Sequence, residues 1–172
     1  VSPIPGMKMV MPSLVEIAFR CAVYQDRRAD IDPLFKSAIE IYPGSARLWK
    51  ARLKIESSRF KGSPEAARGI ATKALEVAAK HPDVGLMAFE YFSEVHFRAA
   101  QEANKPMEPA EVRANPDWAL VQKGLELFMN GPEPAERLSR VTTIFTAAED
   151  WDALTKVVSN IDDETRMAAA IM

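Results

Sequence analysis

The chain has 172 residues, 48% of them hydrophobic and 27% charged, with a formal net charge of -2, the balance of an ordinary globular domain that buries its own core rather than of a disordered segment. A lone cysteine, Cys21, builds neither a disulfide framework nor a cysteine zinc site, and no apolar run approaches the roughly 18 residues of a membrane-spanning helix. Charge is uneven: residues 1–86 carry 14 basic side chains against 9 acidic ones and residues 87–172 carry 8 against 15, so the two halves present opposite fields to a partner.

The chain opens on Val1 rather than Met, which reads as a processed product or an internal piece of a longer protein. Residues 1–12, with Pro3, Pro5, Gly6 and Pro12 among apolar side chains, predict an extended proline-rich arm. Ser13 and Glu16 have the spacing of a capping box, which starts the first helix. Polar residues stand before proline at Asp32-Pro33, Ser63-Pro64, Asn115-Pro116 and Glu133-Pro134, where proline suits the first helical turn. Stops are expected at Pro43-Gly44, Lys61-Gly62, His81-Pro82, Lys105-Pro106 and Asn130-Gly131-Pro132. Helices are therefore predicted near 13–29, 32–42, 46–60, 64–80, 84–103, 116–130, 134–149 and 151–160, with a last one from about 163. Ala67, Ile70, Ala71, Ala74, Leu75 and Ala78 share one face of the fourth, and small side chains there invite close approach by a neighbour. No segment alternates as a strand, and the fold class is all-α.

Two helices repeat a phrase. Leu34-Phe35-Lys36-Ser37-Ala38-Ile39 matches Ile70-Ala71-Thr72-Lys73-Ala74-Leu75 at an offset of 36, and Pro43 or Pro82 follows. A weaker copy is Leu120-Val121-Gln122-Lys123-Gly124-Leu125, followed by Pro132. Trp49 with Glu56 seven residues later corresponds to Met87 with Glu94. Periods in this range signal helical hairpins stacked as a solenoid.

Residues 47–82 resemble the HAT (half-a-tetratricopeptide) repeats through Trp49, Glu56, Ala67, Arg68, Ile70, Lys73, Ala74, Leu75 and Pro82. The resemblance implies a right-handed α-α superhelix of the kind tetratricopeptide repeats also form. Repeat-like units are expected at about 13–43, 46–82 and 84–131, with a degenerate C-terminal unit at 134–172 and a long insertion at 101–115. Met87 and Gly124 depart from the motif. In this family such repeats serve as scaffolds in ribonucleoprotein assemblies that process pre-mRNA or pre-ribosomal RNA, which favours a nuclear or nucleolar site and other protein subunits as partners.

The chemistry-bearing residues are few. Arg47, Lys50, Lys54, Arg59 and Lys61 form a basic stripe with Arg52, suited to RNA phosphates or to a protein partner; Arg52 falls on a side expected to be partly buried. Glu56 and Glu94, recurring on packed helices, are expected to hydrogen-bond their neighbours. Glu90, Glu94 and Arg98 should form a ladder of four-residue steps. Trp49 and Trp118 read as packing residues, and Cys21 as a packing thiol beside Phe19, Ala22 and Val23. No phosphate loop, paired cysteines, His-Glu-x-x-His or nucleophile elbow occurs, so no catalytic, metal or cofactor residue is assigned. The insertion 101–115 is expected to contact a partner. The expected function is a non-catalytic scaffold in an RNA-processing complex, with RNA contact indirect and no membrane insertion. The alternatives are an accessory subunit of an organellar machine, such as a mitochondrial ribosomal or respiratory complex, and direct RNA binding through the basic stripe.

Overall fold

The computed structural model describes residues 7–132 and 134–159, and every regular element among them is helical. The helices are α1 (Met7–Tyr24), α2 (Ile31–Ile41), α3 (Ala46–Ile55), α4 (Pro64–Ala78), α5 (Met87–Phe92), α6 (Arg98–Glu102), α7 (Pro109–Ala114), α8 (Trp118–Met129), α9 (Pro134–Ala147) and α10 (Trp151–Ser159). A tight turn of 3-10 helix at Pro82–Leu86 leads into α5, and a π-helical turn at Ser93–Phe97 joins α5 to α6.

The predicted arm at 1–12 is corrected over residues 7–12, which belong to α1; its first six residues lie outside the described residues. Met-Lys-Met-Val-Met propagates a helix readily. Pro12 lies inside α1, where its φ suits the helix but its ring removes one backbone donor and crowds the carbonyl four residues earlier. Ser13 is thus interior to α1 rather than its cap, and Glu16 instead binds Arg20 and Arg47. Similarly, Asp32 lies inside α2, where its carboxylate meets Arg52 at 2.8 Å. Ser63 does behave as expected: its Oγ accepts from the Ala66 amide at 3.2 Å, with Pro64 opening α4.

Helices end close to the expected stops at Lys61-Gly62, His81-Pro82, Lys105-Pro106 and Asn130-Gly131-Pro132, but the residues that take the left-handed turn are not glycines. Asp26, Lys61, Asn104 and Glu149 all adopt left-handed backbone, with φ between 51° and 57°. After each, the next amide bonds back five residues, as Arg27 to the Ala22 carbonyl at 2.7 Å and Asp150 to that of Phe145 at 3.0 Å. This wraps the last turn and satisfies carbonyls that the helix leaves open. Side chains with a Cβ pay a steric penalty in that conformation. Glu149→Gly is therefore expected to raise stability by about 1 kcal/mol, read as a higher urea midpoint; an unchanged midpoint would show that Glu149 sits there without strain.

Consecutive helices pack in pairs and layers. The first helix lies on α2 and α3, and α3 on α4 and α5; α4 contacts both α5 and α8, and α8 carries α9 and the edge of α10. Two apolar clusters result, one built by residues 15–91 and one by 92–157, meeting at the adjacent Tyr91 and Phe92. A row of edge-on rings crosses each. Phe19, Phe35 and Trp49 link α1, α2 and α3 at centroid spacings of 6.3 and 5.1 Å. Phe92, Trp118 and Phe145 link α5, α8 and α9 at 5.3 and 6.4 Å. The expected packing roles of Trp49 and Trp118 hold, since both are buried.

The alanine face of α4 is buried along its length. Gly124 then explains its departure from the repeat: the backbones of Gly85 and Gly124 touch, and a Cβ on either would strike the carbonyl oxygen of the other. The insertion 101–115 is not a projecting loop. It contains α7, capped by the reciprocal Glu108 and Glu111 bonds, and buries Val112. Arg113 donates to the Ala148 and Glu149 carbonyls at 2.8 and 3.0 Å, closing the end of α9. The helix expected from 163 lies outside the described residues. Among the described residues, no helix is long and apolar enough to cross a membrane.

Candidate functional site

A cleft of about 210 Å³ runs across α1, α3 and the segment that contains the π turn and α6. Its shape begins with the exit from α3. Arg28, from the turn after α1, donates to the carbonyls of Ile55 and Phe60, and its guanidinium lies 3.7 Å from the buried Glu56 carboxylate. Glu56 also accepts from Arg52 and, at 3.2 Å, from the Ser63 amide. The expected structural role of Glu56 is thus met by one carboxylate that holds the α3 exit, the α1–α2 turn and the start of α4 together. Gly62 completes the turn because its Cα packs on the Glu56 backbone, where a Cβ has no room. This tight exit leaves Arg59 exposed at the cleft, stacked 5.8 Å from the Phe60 ring.

The predicted basic stripe does not act as a unit. Arg47 pairs with Glu16 at 3.0 Å, Lys50 with Glu90, and Arg52 with both Asp32 and Glu56. Arg52 is buried, as its helical position implied. Lys54, Arg59 and Lys61 remain exposed and have no carboxylate partner among the described residues, and the first two line the cleft. On the opposite wall Glu94 pairs with Arg98 at 2.8 Å. Of the predicted Glu90–Glu94–Arg98 ladder only the Glu94–Arg98 step joins opposite charges and forms, and Glu90 pairs instead with Lys50 on α3. Cys21 is exposed, which corrects its reading as a packing thiol. At 100° per residue it stands well away from Phe19, which with Val15 carries α1 into the core.

A second polar cluster joins α4, α5 and the start of α8. Asp117 accepts from Arg68 Nε at 2.7 Å, from the Tyr91 hydroxyl, and from His96 Nε2 at 3.1 Å. Asn115 accepts the Asp117 amide at 2.9 Å and places its side-chain nitrogen 3.3 Å from His96 Nδ1. Asn115 Oδ1 is committed to that amide, so its NH₂ faces Nδ1 while Nε2 faces the Asp117 carboxylate. Sequence spacing missed this cluster for a geometric reason. In an α-helix residues 91 and 96 stand about 140° apart, whereas the π turn at 93–97 brings both rings to one side, 5.8 Å between centroids. Arg68, predicted as a repeat residue, proves to be the link from α4 to this cluster.

Burial alone would raise the Asp117 pKa, but the Tyr91, Arg68 and His96 hydrogen bonds outweigh it and hold the carboxyl below its ordinary range. Burial and the same carboxylate push the Tyr91 phenol well up, so it stays a donor. A carboxyl with a lowered native pKa contributes stability above its unfolded pKa and loses it as pH falls through the native value. Urea unfolding at a series of pH values should show stability declining once pH drops through the ordinary Asp range near ~4. Asp117→Asn is expected to flatten that decline; an unaltered acid slope would assign it to other carboxylates.

The remaining repeat residues are structural where they fall. Ala67, Ile70, Ala74 and Leu75 are buried, and Pro82 opens the turn before α5. Among the described residues, no group of three or more His, Cys, Asp or Glu side chains gathers to hold a metal ion. No family model, curated protein or solved structure matches the chain.

Proposed function

We propose that this protein is a non-catalytic scaffold, an α-solenoid module of the HAT-like kind that holds protein subunits together in an RNA-processing ribonucleoprotein complex. The observation that carries the reading is the cleft, whose walls come from α1, α3 and the 93–102 segment. These are alternate members of the helix pairs, so the cleft is a surface made by successive units, which is where stacked helical hairpins bind partners. Its lining also favours binding over chemistry. The carboxylates Glu16 and Glu94 are each engaged by arginine. The basic stripe supports a protein partner better than RNA, since carboxylates of this same chain neutralise Arg47, Lys50 and Arg52.

Affinity capture of the tagged chain from its own cells, with and without nuclease, tests the proposal. Scaffolding predicts that RNA-processing subunits remain bound after nuclease. Recovery of organellar ribosomal or respiratory subunits instead would move the protein to that machinery, and loss of every partner on nuclease treatment would make RNA the bridge.

A further inference from the structure

We infer that the cleft between α1, α3 and the 93–102 segment takes a short acidic, amphipathic peptide segment of a partner protein, its carboxylates on Lys54 and Arg59 and its apolar edge on Tyr24 and Ile17. The inference rests on the scaffold reading and adds the chemistry of the bound segment. Charge points to it first. The cleft is lined by Arg20, Lys54, Arg59 and Arg98 against Glu16 and Glu94, and both carboxylates are already closed by Arg20 and Arg98. What remains is two exposed cations with no carboxylate partner among the described residues, Lys54 and Arg59. A carboxylate can meet the Arg59 guanidinium through two parallel hydrogen bonds.

The second observation is apolar. Tyr24, which lines the cleft, is 80% exposed, and Ile17 and Leu14 on the same helix are 57% and 53% exposed. With Cys21 they lie within an arc of about 80° on α1, directly beside the Glu16, Arg20 and Tyr24 edge that walls the cleft. The inner side of α1 is occupied by Val15 and Phe19, so this outer strip is not needed by the core. A basic floor beside an apolar strip suits a helix or extended segment that carries acidic residues on one side and leucine-like residues on the other. A phosphodiester strand fits less well: it would leave the apolar strip uncovered.

Fluorescence anisotropy on the intact chain tests this with three labelled probes. They are a twelve-residue peptide with Leu along one helical face and Glu elsewhere, the same residues shuffled to disperse the leucines, and a twelve-nucleotide oligouridine. The amphipathic peptide is expected to bind, and the shuffled one to bind several-fold more weakly. Lys54→Glu with Arg59→Glu should weaken the first peptide by roughly tenfold or more, and Ile17→Ser with Tyr24→Ser by a similar factor. Lys54→Gln with Arg59→Gln guards against misfolding of the charge-reversed chain, and circular dichroism melts verify each variant. Absence of binding, or equal binding by the parent and the Lys54/Arg59 variants, would overturn the inference. Tighter binding of oligouridine that those variants abolish would also overturn it, reassigning the cleft to RNA. Native partners that survive nuclease and are captured equally by the variant chain would leave the scaffold standing on another face and sink only the cleft.

Discussion

Trp118→Ala is expected to lower stability by about 3–5 kcal/mol, the range for removing a large buried aromatic side chain. The indole is 3% exposed and stands between Phe92 and Phe145, so its loss opens a cavity at the junction of α5, α8 and α9. It also removes a bond. Trp118 Nε1 donates to Asp150 at 2.8 Å, and Asp150 accepts from Gln122 and caps α10 through the Ala153 amide at 3.1 Å. The buried carboxylate would lose one of its donors as well as the packing around it. Trp118→Phe keeps most of the packing and should cost only the hydrogen bond and a smaller void, roughly 1–2 kcal/mol. Urea unfolding followed by circular dichroism separates the two. A loss below ~1 kcal/mol for the alanine variant would show that the second cluster does not depend on its aromatic row.

The same substitution at two glycines is expected to act with opposite sign. Gly69 lies on the exposed side of α4 with nothing near its missing Cβ, so Gly69→Ala should stabilise by about 1 kcal/mol through helix propensity alone. Gly124 lies in α8 against the turn before α5, where a Cβ would strike the Gly85 carbonyl and stand 2.8 Å from Ala88 Cβ. Backbone cannot yield as the tip of a side chain can. Gly124→Ala is therefore expected to destabilise by about 2 kcal/mol despite its helix-favouring chemistry. Thermal melts of the two variants decide the matter: matched shifts in one direction would mean that the α8 contact at Gly85 is not close.

Much of this architecture is legible from local rules. The 3.6-residue period of α4 names its buried face residue by residue, and Ser63-Pro64 marks its start, because both depend on bonds and burial within one helix. The same reasoning placed Arg52 toward the interior. It failed where another part of the chain supplies the partner. Asp32 has the composition of a cap, yet the Arg52 guanidinium draws it into an ion pair across two helices. Glu90 finds its cation, Lys50, on another helix. Asp26 and Glu149 hold left-handed turns without the glycine that signals them, which the helix tolerates because wrapped backbone hydrogen bonds offset the strain.

The functional surface divides along the same line. Periodicity and capping chemistry establish an all-helical chain and the residues its helices bury, since both follow from spacing along a single element. The cations left free for a partner depend on which carboxylates arrive from elsewhere. Arg47, Lys50, Lys54 and Arg59 are alike in sequence, and once Glu16 and Glu90 are in place Lys54 and Arg59 have no carboxylate partner among the described residues. The Tyr91, His96 and Asp117 cluster likewise needs a π turn that no α-helical wheel anticipates. Pairing across helices is a property of distance in space, and one-dimensional spacing carries no record of it.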